Sequence, residues 1–451
     1  MTNSRSFNFG STSRRSFLKT SGALLGAAAF VPMRAHAAER NTIKVALIGA
    51  GGRGRGATIN ALSTKAPISL VAVADVFEDR ARVSADALTQ QFANQPGKVD
   101  VPEERRFFGF DAYKKAIDGL DKGDVVLLAT CPGFRPLHVE YAVNKGLHVF
   151  MEKPFATDSP GTRRIQAAAK LADEKNLKIA CGLMWRHCDA RKEAIARIHD
   201  GVIGDLIHLR GFRMHGPMGN VPLKPGENEI AYQLRHFHAF DWAGGNVFID
   251  YCIHNIDTAC WAKNAWPVSC IAMGGRSEPN LPGQAYDTYY HEYTFADGSH
   301  LCSHGRYRHK CFDMYSDFAH GTKGSAVLMD NLGQAKTRLY SDQTMQNEKQ
   351  IWAYPGQEPN PYQVEMDLFF DAIVNDKPYN EGHRASEANF ASLLGRAALN
   401  SGQIVTWDQI VKSELSLCPN IDTLTFDSAP PVKSDDQGRY AYAIPGEGVA
   451  F

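Results

Sequence analysis

Three clusters of residues in this chain combine types and spacings that can do chemistry. Gly49-Ala50-Gly51-Gly52-Arg53-Gly54 follows the apolar run Lys44–Ile48 directly and opens onto a helix-compatible stretch, Gly54–Leu62. In that setting Gly49 permits a tight turn, and Gly51, with Gly52 beside it, lets backbone amides approach a pyrophosphate. Gly54 lets the helix pack closely on the strand with its N-terminus facing the anion. Arg53 and Arg55 add positive charge. Asp75 stands 21 residues beyond Gly54, at the end of a second apolar run, where a carboxylate accepts hydrogen bonds from an adenosine ribose. That charge favours NAD, because it repels a 2′-phosphate, and NADP stays open through Arg80. The second cluster is Met151-Glu152-Lys153-Pro154. It ends another apolar run, Pro154 fixes the chain direction, and a lysine ammonium so placed stabilises a developing alkoxide. The third begins at Gly244-Gly245 and sets Asp250 and His254 four apart, on one face if the segment is helical. Histidine titrates near neutral pH, so it can take the proton an alcohol loses as a hydride leaves its carbon, and return it in the reverse direction.

A fourth segment, Tyr232 to Trp242, contains Gln233, Arg235, His236 and His238. At strand spacing His236 and His238 would point to one face. No adjacent cysteine or third histidine has ligand spacing, so no metal is expected. Arg235, His236, His238 and Trp242 suit a pocket in which a sugar stacks and hydrogen-bonds, and Arg186, with His187, is expected to line the same cleft.

The elements that must position these groups change character partway along the chain. From Ile43 to Met184, apolar runs at 43–48, 68–74, 125–129, 148–151 and 178–183 alternate with helical stretches at 77–92, 112–117 and 136–144, with Gly146 at a helix C-terminus. That is the grammar of a parallel sheet. Beyond Arg186, alternating runs at 206–214, 289–295 and 300–306, with Asp297-Gly298 as a hairpin turn, predict a mostly antiparallel sheet, and one late helix is expected over 385–401. The expected organisation is a signal segment over 1–37, a dinucleotide-binding domain over 38–185, an α+β substrate and oligomerisation domain over 186–414, and a surface tail over 415–451.

With these motifs in order, the chain resembles the glucose-fructose oxidoreductase and inositol dehydrogenase family (Gfo/Idh/MocA). The resemblance rests on the glycine fingerprint, Ala129-Thr130 followed by His138, Glu152-Lys153-Pro154, and Asp250-x-x-x-His254-x-x-Asp257 after the glycine pair. It implies a Rossmann doubly wound parallel sheet followed by an α+β domain whose large open sheet meets the nicotinamide and often supports oligomer contacts. It also implies roles: Lys153 on the reacting hydroxyl, His254 as general acid/base, Asp250 on a substrate hydroxyl or orienting His254, Glu152 near the nicotinamide ribose, and Thr130 and His138 among the cofactor-binding residues.

The N-terminus adds a constraint. Ser13-Arg14-Arg15-Ser16-Phe17-Leu18-Lys19, an apolar run over 22–31 and Ala35-His36-Ala37 have the order of a twin-arginine export signal with its cleavage site, which predicts engagement of the Tat machinery and a periplasmic or otherwise exported protein. The apolar run is too short for stable membrane insertion. Removing residues 1–37 takes away five basic and no acidic residues, leaving 44 basic against 49 acidic and a net charge of about −5, which argues against nucleic acid as a partner. Nine cysteines scattered through apolar runs read as buried thiols. Free NAD is scarce outside the cytoplasm, so the leading expectation is a sugar oxidoreductase with a tightly held, recycled cofactor. A redox-neutral NAD-dependent glycosidase is the alternative, and exported glycosidases resembling this family commonly lack the lysine present here at 153. A non-catalytic sugar or cofactor sensor ranks last.

Overall fold

The computed structural model describes residues 42–217, 219, 221–278, 281–330 and 337–447. The expected signal segment lies outside the described residues. Two sheets organise the compact unit Thr42–Phe451. The first comprises β1 (Ile43–Ile48), β2 (Ile68–Asp75), β3 (Arg106–Phe108), β4 (Val125–Leu128), β5 (His148–Met151) and β6 (Ile179–Cys181), all parallel, in the order β3-β2-β1-β4-β5-β6. This is the doubly wound Rossmann order. Every residue of β2, β4, β5 and β6 is buried, as a sheet covered on both faces requires. Its covering helices are α1 (Gly52–Leu62), α2 (Glu78–Gln91), α3 (Ala112–Asp118), α4 (Arg135–Lys145) and α5 (Ser159–Glu174). Gly146 ends α4 in the left-handed conformation, with φ 82°. Asp158 caps α5, accepting from the Gly161 amide at 2.8 Å.

The second sheet has nine strands: β7 (Leu206–His215), β8 (Ser269–Gly275), β9 (Thr288–Thr294), β10 (His300–Tyr307), β11 (Met314–Gly321), β12 (Ser325–Asp330), β13 (Arg338–Tyr340), β14 (Gln350–Ala353) and β15 (Val405–Thr406). Their order is β14-β13-β12-β11-β7-β10-β9-β8-β15. Only the central β7–β10 pair is parallel among the described pairings. The β9–β10 hairpin turns at Asp297-Gly298, Gly298 having φ 81°.

This half is richer in helix than its strand-like runs suggest. It contains α6 (Asp189–His199), α7 (Glu229–Arg235), α8 (Asp241–Gly244), α9 (Asn246–Lys263), α10 (Pro361–Val374), α11 (Gly382–Ser401) and α12 (Trp407–Lys412). Helices α9 and α11 bury themselves against one face of the sheet, in a core holding Phe248, Ile256, Tyr293, Leu301 and Leu394. The chain after residue 415 is anchored more firmly than a surface tail: Cys418, Leu424 and Tyr440 are buried with Phe77, Tyr232 and Trp242. Seven of the nine cysteines are buried, with Cys131 half-buried and Cys311 exposed. No helix among the described residues is long and apolar enough to cross a membrane.

Candidate active site

A cavity of about 720 Å³ runs from the glycine turn after β1 to the N-terminal half of α9, a size suited to small-molecule and cofactor binding. The glycine end is a cradle defined by what it cannot accommodate. Gly49 has φ 91°, and a Cβ there would strike the Ala129 backbone; a Cβ on Gly54 would strike the Gly49 carbonyl. At Gly51 and Gly52 a Cβ would meet nothing within 4 Å, so the start of α1 faces open space where amides can receive an anion. Asp75 ends β2 beside this cradle. Its carboxylate accepts from the Ala50 amide at 2.7 Å and the Phe77 amide at 3.0 Å, which fix it facing the cavity, and burial raises its pKa. Arg80 lines the same end. The cradle and its carboxylate fit a dinucleotide.

Thr130 and His138 form the next part of the wall. Thr130 Oγ1 lies 3.2 Å from His138 Nδ1, and burial, followed by the Arg135 guanidinium, pushes the imidazole down to about 3. Glu152 pairs with Arg53 across the turn, and Arg53 stacks 4.5 Å from the centre of the Tyr362 ring.

At the far end Lys153 Nζ donates to Asp250 O at 2.7 Å and to Asp250 Oδ1 at 3.0 Å. His238 Nδ1 lies 2.9 Å from Asp250 Oδ2, so one carboxylate holds both groups. Burial alone would raise the Asp250 pKa. Lys153 and His238 outweigh it and hold the carboxyl well below its ordinary range. His254 follows one helical turn along α9, 8% exposed, its Nδ1 without a hydrogen-bond partner. Burial, then the charges of Lys153 and Arg213, keep its pKa well below 6.5, so the ring is neutral. The chain carrying Lys153 is pinned from behind by α11: Asn389 Oδ1 accepts from the Phe155 and Ala156 amides at 3.1 and 3.3 Å, and its Nδ2 donates to Thr162 Oγ1 at 2.8 Å.

The cavity therefore brings together Gly49, Gly51, Gly52, Arg53, Gly54, Asp75, Thr130, His138, Glu152, Lys153, His238, Asp250 and His254. Four expected substrate-binding residues stand elsewhere. Trp242 is 1% exposed and donates to Gln233 at 2.6 Å, a core contact. Arg235 pairs with Asp79 at 3.1 Å and stacks on Phe77. His236 caps α7 and packs on the Tyr232 ring, because the segment is helical and the strand spacing assumed for His236 and His238 does not apply. Arg186 is held by Asp257 through two hydrogen bonds of 2.8 Å. Sequence reasoning missed Arg213, Trp185, Tyr315 and Tyr362 on the wall. Arg213 sits in an alternating strand whose pattern marks a buried face without saying what that face meets. Among the described residues no group of three His, Cys, Asp or Glu could hold a metal ion.

Residues 43–182 match the family model described as "Oxidoreductase family, NAD-binding Rossmann fold". The match covers the first sheet and its glycine cradle and describes that segment as an NAD-binding Rossmann fold of the Gfo/Idh/MocA oxidoreductase type. A dTDP-3,4-didehydro-2,6-dideoxy-alpha-D-glucose 3-reductase from Actinomadura kijaniata is 26% identical over 225 residues, 49% of this chain and 56% of the reductase, so the match spans little more than half that relative. Levoglucosan dehydrogenase, solved with NADH and levoglucosan, shares the fold with TM-score 0.62 and 16% identity over 82% of this chain and 100% of its own. Myo-inositol 2-dehydrogenase from Lactobacillus plantarum does so with TM-score 0.59 and 19% identity over 81% and 99%. These relatives are named as a reductase or dehydrogenases of sugars and an inositol.

Proposed function

We propose that this protein moves a hydride to and from a hydroxyl-bearing carbon of a sugar or sugar derivative. The observation that carries the reading is the convergence of Lys153, Asp250 and His254 at one end of a cavity whose other end is the glycine cradle. When bound there, a nicotinamide dinucleotide supplies the hydride acceptor or donor. The residues supply the rest. An ammonium has three donors, and Asp250 occupies two on Lys153, leaving one to stabilise charge developing on the reacting oxygen. His254, neutral and with a vacant Nδ1, can hold the hydroxyl proton during oxidation and return it during reduction. Asp250 positions Lys153 and His238 without itself taking a proton, since its carboxyl stays ionised.

The finer reading is an exported homo-oligomer that leaves through the Tat pathway with its cofactor already in place and recycles it between paired sugar substrates. The order of charge, apolar run and small residues in segment 1–37 supports export. Two measurements test the reading. Mass spectrometry of the small molecules released on denaturing the purified protein should find NAD(H) or NADP(H) at one per chain; an empty protein argues against retention. Lys153→Ala and His254→Ala should abolish sugar-dependent change in nicotinamide absorbance while keeping the cofactor, and unchanged turnover in both would sink the catalytic assignment.

A further inference from the structure

Beside the catalytic end of the cavity, charged side chains on the second-sheet side meet in pairs, whereas Arg213 does not. Lys153 is matched by Asp250 at 3.0 Å. Asp317, on β11, accepts from Asn255 at 2.6 Å and lies 3.7 Å from Arg191. Arg213, on β7, lines the cavity and has no carboxylate partner among the described residues; its buried Nε has no hydrogen-bond partner at all. Its orientation is nevertheless fixed. The guanidinium lies 4.0 Å from the centre of the Tyr315 ring, its register partner on β11, and 4.8 Å from that of Tyr251 on α9. Tyr315 is itself held, accepting from Trp185 Nε1 at 2.8 Å. A guanidinium clamped between two rings keeps its in-plane donors free and pre-organised, and a planar fork of donors matches an oxyanion bidentately. It stands near the reacting groups: the Tyr251 ring it faces belongs to the residue after Asp250, and the positive potential of Arg213 reaches His254.

We infer that Arg213 is an anion subsite, and that the substrate is an anionic sugar whose carboxylate or phosphate docks on Arg213 while its hydroxyl meets Lys153 and His254. This rests on the sugar-oxidoreductase reading above and narrows it. Neutral sugars would leave the guanidinium desolvated with no oxyanion on its donors, so the site selects against them.

The test is calorimetric binding to the cofactor-loaded protein, which does not depend on turnover. The probes are D-glucuronate, D-galacturonate and D-mannuronate, the corresponding aldoses, and the aldose 6-phosphates. At least one anionic sugar should bind about 30-fold or more tighter than its neutral counterpart, the range expected for hydrogen bonds to a charged group. That ratio should collapse toward unity in Arg213→Gln and recover in part in Arg213→Lys, with cofactor content and melting temperature checking the fold. Whether a uronate or a 6-phosphate gives the larger ratio distinguishes the two anions. Equal affinity for acid and neutral sugars, a ratio unchanged in Arg213→Gln, or no binding by any anionic probe overturns the subsite. Arg213-dependent binding of an acid sugar with no hydride transfer upholds the subsite and overturns the oxidoreductase reading instead.

Discussion

His254 and Lys153 are linked electrostatically, and the link can be read in pH profiles. Burial and the nearby cations depress the His254 pKa, so the proton-accepting form persists below pH 6.5. Sugar oxidation should therefore keep its kcat/KM down to an acid limb lying below 6.5, whereas a limb at or above 6.5 would assign that ionisation to another group. Lys153→Met removes one of the cations that lower it. Residual oxidation, about 10²–10³-fold slower through loss of the ammonium, should show the acid limb moved upward toward 6.5. A second residue in this region works against stability. Glu365 is wholly buried, with neither carboxylate oxygen hydrogen-bonded, and burial followed by the Glu152 charge raises its pKa well above 4.5. A raised carboxyl contributes stability below its unfolded pKa and loses it as pH rises through the folded value. Glu365→Gln keeps the shape and removes that loss, so it should raise the melting temperature at pH 8 and change it less at pH 5. An equal change at both would show that Glu365 is not held protonated.

At the scale of elements, catalytic geometry is set by helix α11, which touches no expected substrate atom. Asn389 satisfies two backbone amides just beyond Pro154, so its side chain fixes the exit of the strand that presents Glu152 and Lys153. Asn389→Ala leaves those amides buried and unpaired, a cost of about 2–4 kcal/mol. It should lower the urea midpoint and reduce kcat more than KM with cofactor retained; loss of stability with kcat intact would limit α11 to a structural role. This dependence was invisible in the sequence, because it joins residues more than two hundred positions apart. What could be read was local. The runs that became β1, β2, β4 and β5, the glycine turn, the hairpin at Asp297-Gly298 and the Asp250/His254 helix face all announce themselves within a few residues. The three-residue β3 is too short to carry a period. The start of α10 was hidden by its own signals: Asn360 caps the helix and Pro361 occupies its first turn, yet the run 355–361, with three prolines and a glycine, reads as loop. His238 reached the cavity for a reason the sequence could not supply, since the assumed strand is a helical turn and its orienting partner, Asp250, stands on another element.

The whole molecule carries several buried histidines, and they are spread over both sheets. Burial holds His138 at about 3, His148 at about 4 and His291 at about 3, and keeps His254 well below 6.5. His148 also accepts the Lys178 amide at 2.8 Å, a bond its protonation would break. The sign follows from comparing states. In the unfolded chain each imidazole binds a proton near pH 6.5, whereas in the fold it does so only at much lower pH, so the unfolded state gains protons first as the medium is acidified. The contribution is intact above about 6.5 and is lost as pH falls, at up to about 1.4 kcal/mol per pH unit for each histidine. Glu365 and Asp75, whose pKa values are raised, offset part of this in acid. Because His138 and His254 line the cavity while His291 stacks on Phe248 in the core of the second sheet, both halves should weaken together. Urea unfolding of the cofactor-loaded protein should show its midpoint falling steadily from pH 7 to pH 5 in a single transition, with cofactor release accompanying it. A midpoint that stays level across that range would mean that the imidazoles take up protons in the fold as readily as in the unfolded chain, and a split transition would mean that the two sheets do not share one unfolding unit.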